Sequence, residues 1–188
     1  IADGVVTAGG KRAVLADFVG LAVEGTFATT TRTYSYGAHA CHVAVDPRTG
    51  HVYILDYVAI EDVGVAINPH IVHGQAIGAL VQGLGGVFLD QILYDRDAQM
   101  LNASLADYLV PLATDFSNVR GITMELRRSK TNPLGAKGCG ESGAIGGPPC
   151  IANGVMDALS ELGITQLNTP LTPSKIWQAI RAAKIKAA

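Results

Sequence analysis

Alternating apolar and polar positions between residues 34 and 61 predict a β-hairpin. In the first strand, over residues 34–46, Cys41, Val43 and Val45 share one face and the even-numbered positions share the other. The segment PRTG at 47–50 has glycine at the last position of a turn, and residues 51–61 read as the partner strand. The pattern therefore places two paired strands in this part of the chain.

A change to helical spacing follows the hairpin. Asn68 and Pro69 suit the N-cap and first turn of a helix, and apolar residues then recur at helical spacing to about Leu93. Glycines interrupt this run at positions 74, 78, 83, 85 and 86. Because each glycine costs roughly 0.5–1 kcal/mol relative to alanine, we expect another backbone or a ligand to approach this helix closely.

The remaining pattern completes an α+β fold. Residues 121–127 alternate like a strand, and residues 129–149 form a Gly/Pro-rich stretch without periodicity, which predicts a long functional loop. Residues 151–162 predict a helix ended by Gly163, and Thr172 with Pro173 opens a last helix to about Ala183. We predict a hairpin-based mixed sheet packed by helices in one domain over 1–188, with possible sub-lobes at about 1–125 and 126–188.

Composition indicates a domain that is covered by other protein. Charged residues make up 16% of the 188 positions, against about 25% in ordinary globular domains. Hydrophobic residues reach 48%, yet no uninterrupted apolar run approaches the ~20 residues of a membrane helix, so no membrane span is predicted. A net charge of -2 gives no basic footprint for nucleic acid. Since the sequence begins at Ile1 rather than methionine, we expect a piece of a longer chain.

Cysteine and histidine positions predict no metal site. The three cysteines form no C-x-x-C pair, which favours a reduced, cytoplasmic compartment, and Cys41 reads as a small buried hydrophobe. His39 and His42 are three apart in a strand and so point to opposite faces. His70 and His73 share a helical face without a further ligand. All four are interpreted as packing or surface histidines.

The glycine-rich stretch is where chemistry is concentrated. Its exposed N–H groups can form an anion-binding nest, with Lys137 as a possible phosphate partner. Glu141 is the only carboxylate between Glu125 and Asp157, and a lone carboxylate in a tight, partly dry loop suits a general base. Neither the P-loop nor the nucleophile-elbow pattern matches. From these residues alone, a plain strand-to-helix connection and a phosphate- or nucleotide-binding loop both stay open.

An ordered set of motifs resembles one enzyme family. The segment GAKGCGE at 135–141 resembles the G-x-K-G-x-G-E segment of molybdenum hydroxylases, and GQAIGALVQGLG at 74–85 resembles their G-Q-x-x-G-x-x-x-Q-G-x-G helix. The turn DVGVAINP at 62–69 and the later pairs Asp107-Tyr108 and Thr172-Pro173 match in the same order. The sequence is thus similar to the C-terminal portion of the molybdopterin-binding large subunit of xanthine dehydrogenase/carbon monoxide dehydrogenase-type enzymes.

The resemblance assigns roles to individual positions. It implies that Glu141 is the catalytic base that takes a proton from a hydroxyl on molybdenum. It implies that Gly140 brings its backbone close to the cofactor and that Lys137, Gly138 and Cys139 line the same loop. Gln75 falls on a glutamine near the molybdopterin, where a buried amide both donates and accepts hydrogen bonds.

The resemblance also implies cofactors and partners. We expect molybdopterin, in its cytosine dinucleotide form, with [2Fe–2S] and FAD carried by an Fe–S subunit and a FAD subunit. The expected substrate is a small carbon compound: an aldehyde, an N-heterocycle or carbon monoxide. Other cofactor-binding segments of the large subunit are not found in this sequence, so the isolated 188 residues are predicted to be inactive without the remainder of that subunit. A homo-oligomer is possible, and a non-catalytic structural or assembly domain is the alternative.

Overall fold

The computed structural model describes residues 3–116 and 118–187, and its contacts divide the chain into two units, Ile1–Thr30 and Thr31–Ala188. The smaller unit contains an antiparallel hairpin of β1 (Val5–Ala8) and β2 (Lys11–Val14). Gly9 and Gly10 form its tight turn and both have positive φ, which glycine adopts without strain. A short 3₁₀ helix, Leu15–Phe18, follows the hairpin.

A three-stranded mixed sheet forms the framework of the larger unit. The long strands β3 (Tyr36–Val45) and β4 (Val52–Asp62) pair antiparallel, and β5 (Val119–Met124) joins the other edge of β4 in parallel. The turn between β3 and β4 is closed by the Gly50 N–H, which donates to the Asp46 carbonyl at 2.8 Å. The predicted hairpin and the mixed sheet are confirmed.

Helix α1 (Pro69–Phe88) begins where its capping residue predicts. The Asn68 side chain accepts a hydrogen bond from the Ile71 N–H at 3.2 Å, and Pro69 occupies the first turn. By length and composition alone α1 could cross a membrane. The helix instead buries a face that includes Leu80, Leu84 and Val87 in the core of this unit, and core helices of water-soluble proteins can share this length and composition. The absence of a membrane span stays a prediction.

Helix α2 (Ser142–Leu159) corrects the prediction of a loop over residues 129–149. The first eight residues of the helix, 142–149, fall within the predicted loop, and they include Pro148 and Pro149, which disfavour a helix interior. Tertiary packing overrides this preference. Gly143 lies against the backbone of Leu80, and Gly83 on α1 lies against Gly143 and Pro148. Without side chains at these glycines, the two helices can approach closely enough to compensate for the prolines.

The core lies between one face of the sheet and the three helices. Helix α3 (Pro173–Ala187) begins as predicted, with Thr172 Oγ1 accepting a hydrogen bond from the Lys175 N–H at 3.3 Å. Most of the fully buried side chains come from β4 and from the three helices, among them Tyr57, Leu80, Leu84, Ile151, Val155, Ile176 and Ile180. Cys41 packs against this cluster, as expected of a small hydrophobe.

Residues on both sides of position 125 belong to the same unit. Helix α2, which follows that position, packs against α1 and β3, which precede it. In the described part of the chain, the division falls after Thr30 instead, and the suggested boundary between 1–125 and 126–188 has no counterpart in the contacts.

Candidate active site

A cleft of about 340 Å³ opens between the start of β3 and the loop that leads into α2. Its walls are formed by residues of these two segments: Ser35, Tyr36, Gly37 and His39 on one side, and Gly138, Cys139, Gly140, Glu141, Ser142, Ile145 and Gly146 on the other. The cleft therefore collects four of the residues singled out in the glycine-rich segment, at positions 138–141.

Glu141 is the carboxylate on the loop wall of this cleft. It is the N-cap residue of α2, its carbonyl accepts a hydrogen bond from the Ile145 N–H at 3.1 Å, and no side chain caps the first turn. The side chain is exposed. Neither ion pair found among the described residues, Arg120–Asp56 or Lys137–Asp62, involves Glu141. The carboxylate is open to the cleft, although the partly dry setting expected from the sequence is not provided by this chain alone.

Gln75 lies beside the same loop. It is exposed on α1, and its Oε1 is 3.4 Å from the position that a Cβ on Gly140 would occupy. Gly74 and Gly78 on the same helix have no atom within 4 Å of such a position. Gln75 thus borders the loop, and Gly74 and Gly78 are open positions on the same helix, whereas Gly83 and Gly85 make the close contacts predicted for this helix.

The Lys137 side chain is buried and paired, and so is not placed to bind a phosphate. Its ammonium is 3.1 Å from Asp62 Oδ2, and the two side chains are only 7% and 2% exposed. The ammonium also lies 4.6 Å from the centroid of the Tyr36 ring, a cation–π arrangement. Lys137 therefore joins the loop to β4. Because its ammonium is already paired, a generic phosphate or nucleotide site in this loop would lack the cation expected from the sequence.

Asp62 anchors the structure behind the loop. Burial raises the pKa of Asp62, but hydrogen bonds from Tyr36, from the Gly64 N–H and from Lys137 outweigh that effect and hold the pKa well below its ordinary value. Asp62 is therefore ionised and structural, in agreement with its interpretation as a turn residue.

His39 and Glu61 are the site residues that sequence reasoning missed. His39 lines the cleft, and its Nδ1 is 2.7 Å from the Tyr57 hydroxyl. Burial lowers the pKa of His39, an effect that the neighbouring Glu61 carboxylate partly offsets. Glu61 is 2% exposed. The alternation of β3 places His39 on the same face as Cys41. This shared face is the one sequence signal that could have identified His39 as a site residue.

Comparison with known proteins identifies the domain. The molybdopterin cofactor-binding domain family matches residues 6–117, more than half of the chain. The chain belongs to this family. The predicted resemblance to the large subunits of xanthine dehydrogenase/carbon monoxide dehydrogenase-type enzymes is thereby confirmed.

Relatives of this molybdopterin cofactor-binding domain are much longer proteins. It is 37% identical over 161 residues to the 6-hydroxypseudooxynicotine dehydrogenase complex subunit gamma of Paenarthrobacter nicotinovorans, covering 86% of this chain and 20% of that subunit. It is 32% identical over 149 residues to the carbon monoxide dehydrogenase large chain of Hydrogenophaga pseudoflava, covering 79% and 18%. The domain thus spans about a fifth of the length of these relatives.

A solved structure shares the fold. The reconstituted CO dehydrogenase from Oligotropha carboxidovorans superposes with a TM-score of 0.77 at 31% identity, over 82% of this chain and 19% of that one. The mixed sheet with its three helices is therefore similar to the corresponding part of that enzyme, as the predicted fold class requires.

Proposed function

We propose that this domain forms one wall of the active site of a molybdenum-dependent oxidoreductase, with Glu141 as the catalytic base. The observation that carries the proposal is the position of Glu141: an exposed carboxylate without an ion-pair partner among the described residues, at the mouth of a cleft lined by bare glycine backbone. The family of the domain supports a molybdopterin cofactor in the complete protein.

The residues around the cleft fit such a cofactor. A Cβ on Gly138 would meet nothing within 4 Å, so the loop backbone is open to a flat ring system. The first turn of α2 has no side-chain cap, and unpaired N–H groups at a helix N-terminus attract anions such as phosphate. Gly138, Cys139 and Gly140 would hold the cofactor by main-chain contacts, and Gln75 would supply an amide.

Glu141 would act by proton transfer at its carboxylate. When bound, the molybdenum cofactor supplies an acidic oxygen ligand and a two-electron acceptor. The carboxylate of Glu141 takes up a proton during the reaction, and Gly140 keeps the loop close enough for that transfer. Because this chain leaves Glu141 exposed, the drier surroundings that favour catalysis come from the remainder of the large subunit in this proposal.

Further partners follow from the kinds of protein that the domain resembles. One relative is named as a subunit of a complex and another as a large chain, which supports assembly with other subunits. We infer an Fe–S subunit with [2Fe–2S] and a FAD subunit, molybdopterin in its cytosine dinucleotide form, and a cytoplasmic location. The substrate would be a small carbon compound of the aldehyde, N-heterocycle or carbon monoxide class.

Replacing Glu141 with glutamine in the complete enzyme tests this proposal. We expect Glu141→Gln to lower kcat by about 10²–10⁴-fold, the usual contribution of a positioned base. Molybdenum and pterin content should stay near wild type, since the loop backbone is unchanged. Glu161→Gln, at an exposed position near the end of α2, is the matched control and should have no effect.

Two outcomes would contradict the proposal in different ways. Wild-type rates in Glu141→Gln would dismiss this residue as the base. A complete protein that contains no molybdopterin would favour the alternative of a structural or assembly domain, whose loop no longer binds a cofactor.

A further inference from the structure

A second carboxylate is buried behind the cleft without a partner. Glu61 is 2% exposed, and neither of its oxygens has a hydrogen-bond partner among the described residues. Burying a carboxylate in this way is costly, and unsatisfied buried polar groups are rare enough to suggest a functional reason. Ser142 Oγ, at the start of α2, is also buried and unpartnered.

The strand register places Glu61 next to His39. Gly37 is directly opposite Glu61, and His39 is directly opposite Ala59, so Glu61 is the diagonal neighbour of His39 on the same face of the sheet. Diagonal pairs are within reach of long side chains. Gly37 has no side chain on that face, and its ideal Cβ position is 3.4 Å from Glu61 Cγ. Glu61 therefore lies behind the β3 wall of the cleft.

His39 connects this buried position to the cleft. Its Nδ1 pairs with the Tyr57 hydroxyl at 2.7 Å, and burial raises the pKa of Tyr57, so the phenol stays protonated. Its Nε2 lies towards the first turns of α2, 2.5 Å from where a Cβ on Gly146 would be. The glycine thus leaves room for the ring, and Nε2 is the nitrogen that remains available to a second partner.

We propose that His39 is a relay residue that receives the proton from Glu141, and that Glu61 is the positioning carboxylate that stabilises the resulting imidazolium. This inference rests on the proposed role of Glu141. In the relay, the O–H bond of the Glu141 carboxylic acid breaks and an N–H bond forms at His39 Nε2. Glu141 returns to its carboxylate form, and the imidazolium then releases the proton to solvent through the cleft.

Glu61 is the charged neighbour that favours a cation at His39. Other titratable groups lie along the cleft or around the bonded Tyr57: Tyr36, Cys139 and Glu141 line the cleft with His39, and Cys41 and Cys150 interact with Tyr57. Lys137 and Asp62 compensate each other as an ion pair. Burial lowers the pKa of His39, and Glu61 opposes that effect. The pKa therefore stays closer to the ordinary histidine value, at which the ring can both accept and release a proton.

Kinetics of His39→Gln in the complete enzyme provide the first test. Glutamine can keep a hydrogen bond to Tyr57 but cannot take up a proton. We expect kcat to fall at least about tenfold with KM and molybdenum content unchanged, and the part of the acid limb of the kcat–pH profile that reports His39 to disappear. His42→Gln, on the opposite, exposed face of β3, is the matched control. A His39→Gln enzyme with wild-type kcat and an unchanged pH profile would overturn the relay.

Titration of His39 provides a second test that does not depend on turnover. Exchange of the imidazole C2 hydrogen, followed by mass spectrometry of the complete enzyme, gives the midpoint of His39 directly. Glu61→Gln should lower that midpoint by about one pH unit, because a nearby negative charge is removed. An unmoved midpoint would refute the coupling.

The two tests separate this inference from the proposed function. An active Glu141→Gln enzyme rejects the proposed base and with it the relay, while the midpoint shift would still report the pairing of His39 with Glu61. An inactive Glu141→Gln enzyme together with a fully active His39→Gln enzyme rejects the relay alone.

Discussion

Asp62 joins three backbone segments behind the cleft. Its carboxylate accepts hydrogen bonds from the N–H groups of Gly64, Leu126 and Arg127 at 3.0, 3.2 and 3.1 Å, in addition to the ion pair with Lys137. Hydrogen bonds to an ionised acceptor are stronger than neutral ones, and this carboxylate is buried. A single side chain thus holds the end of β4, the segment after β5 and the glycine-rich loop together.

Asp62→Asn tests this role. The amide keeps the shape of the side chain but loses the charge and presents N–H groups to other donors, so we expect faster hydrogen exchange at the Leu126 and Arg127 amides. Hydrogen-exchange mass spectrometry of the complete protein at one fixed pH measures the exchange rates of these two amides. Asp56→Asn is the control, because the Asp56–Arg120 pair is 53% and 59% exposed and such pairs stabilise little. Equal protection loss in both variants would contradict the prediction.

The pH dependence of this anchor has a definite sign. Since the folded-state pKa of Asp62 is lowered, its stabilisation is fully present above the unfolded value of about 3.9 and is lost as the pH falls towards the folded value. The Lys137 attachment should therefore persist at mildly acidic pH and weaken only in strong acid.

At the scale of elements, a bulge in β4 decides which side chains face the helices. His42 pairs with Asp56 and Val43 with Ile54, which leaves Leu55 as the extra residue. Before the bulge the even positions Val52 and Ile54 pack against the core; after it the odd positions Tyr57 and Ala59 belong to the core and Glu61 is buried. Strict alternation along β4 would have sent Glu61 to the opposite face.

Close packing between α1 and α2 depends on glycine. A Cβ on Gly143 would lie 2.8 Å from the Ala79 carbonyl carbon and 2.9 Å from Leu80 Cα. We expect Gly143→Ala to destabilise the protein by about 1–3 kcal/mol, because neither backbone can move freely. Gly86→Ala is the control, since that position is open and alanine favours the helix by about 0.5–1 kcal/mol. Thermal unfolding compares the two; a Gly143→Ala protein as stable as Gly86→Ala would reject this account of the interface.

At the scale of the whole molecule, the larger unit exposes large hydrophobic side chains, including Tyr53 at 52% and Leu55 at 47% on β4. Exposed apolar patches mark surfaces that contact other protein. We infer that further parts of the large subunit cover these positions, in keeping with the low charge of the chain.

The isolated 188 residues are expected to retain no molybdenum and to show no turnover. The reason is that this chain leaves Glu141 and Gln75 exposed and is about a fifth as long as the large subunits it resembles. Metal analysis and activity assays on the purified domain, beside the complete enzyme, check this. Stoichiometric molybdenum in the isolated domain would contradict this prediction, because it would show that one wall of the active site is sufficient to hold the cofactor.

Local sequence signals determined much of this protein. The alternation of residues 34–61, the Asn68–Pro69 cap and the Thr172–Pro173 start depend on neighbours in the chain, and the structure shows each of them. The glycine-rich motif likewise marked positions 138–141, which the fold gathers in one cleft. Periodicity and capping are short-range effects, so a single sequence carries them.

Only the tertiary structure decided the rest. The helical state of residues 142–150 depends on contacts with α1, which outweigh the local preference of its glycines and prolines. The engagement of Lys137 by Asp62 joins residues 75 positions apart. The burial of Glu61 beside His39 follows from one extra residue in a strand. Each of these results from a long-range contact or a register shift, which composition and spacing along the chain do not encode.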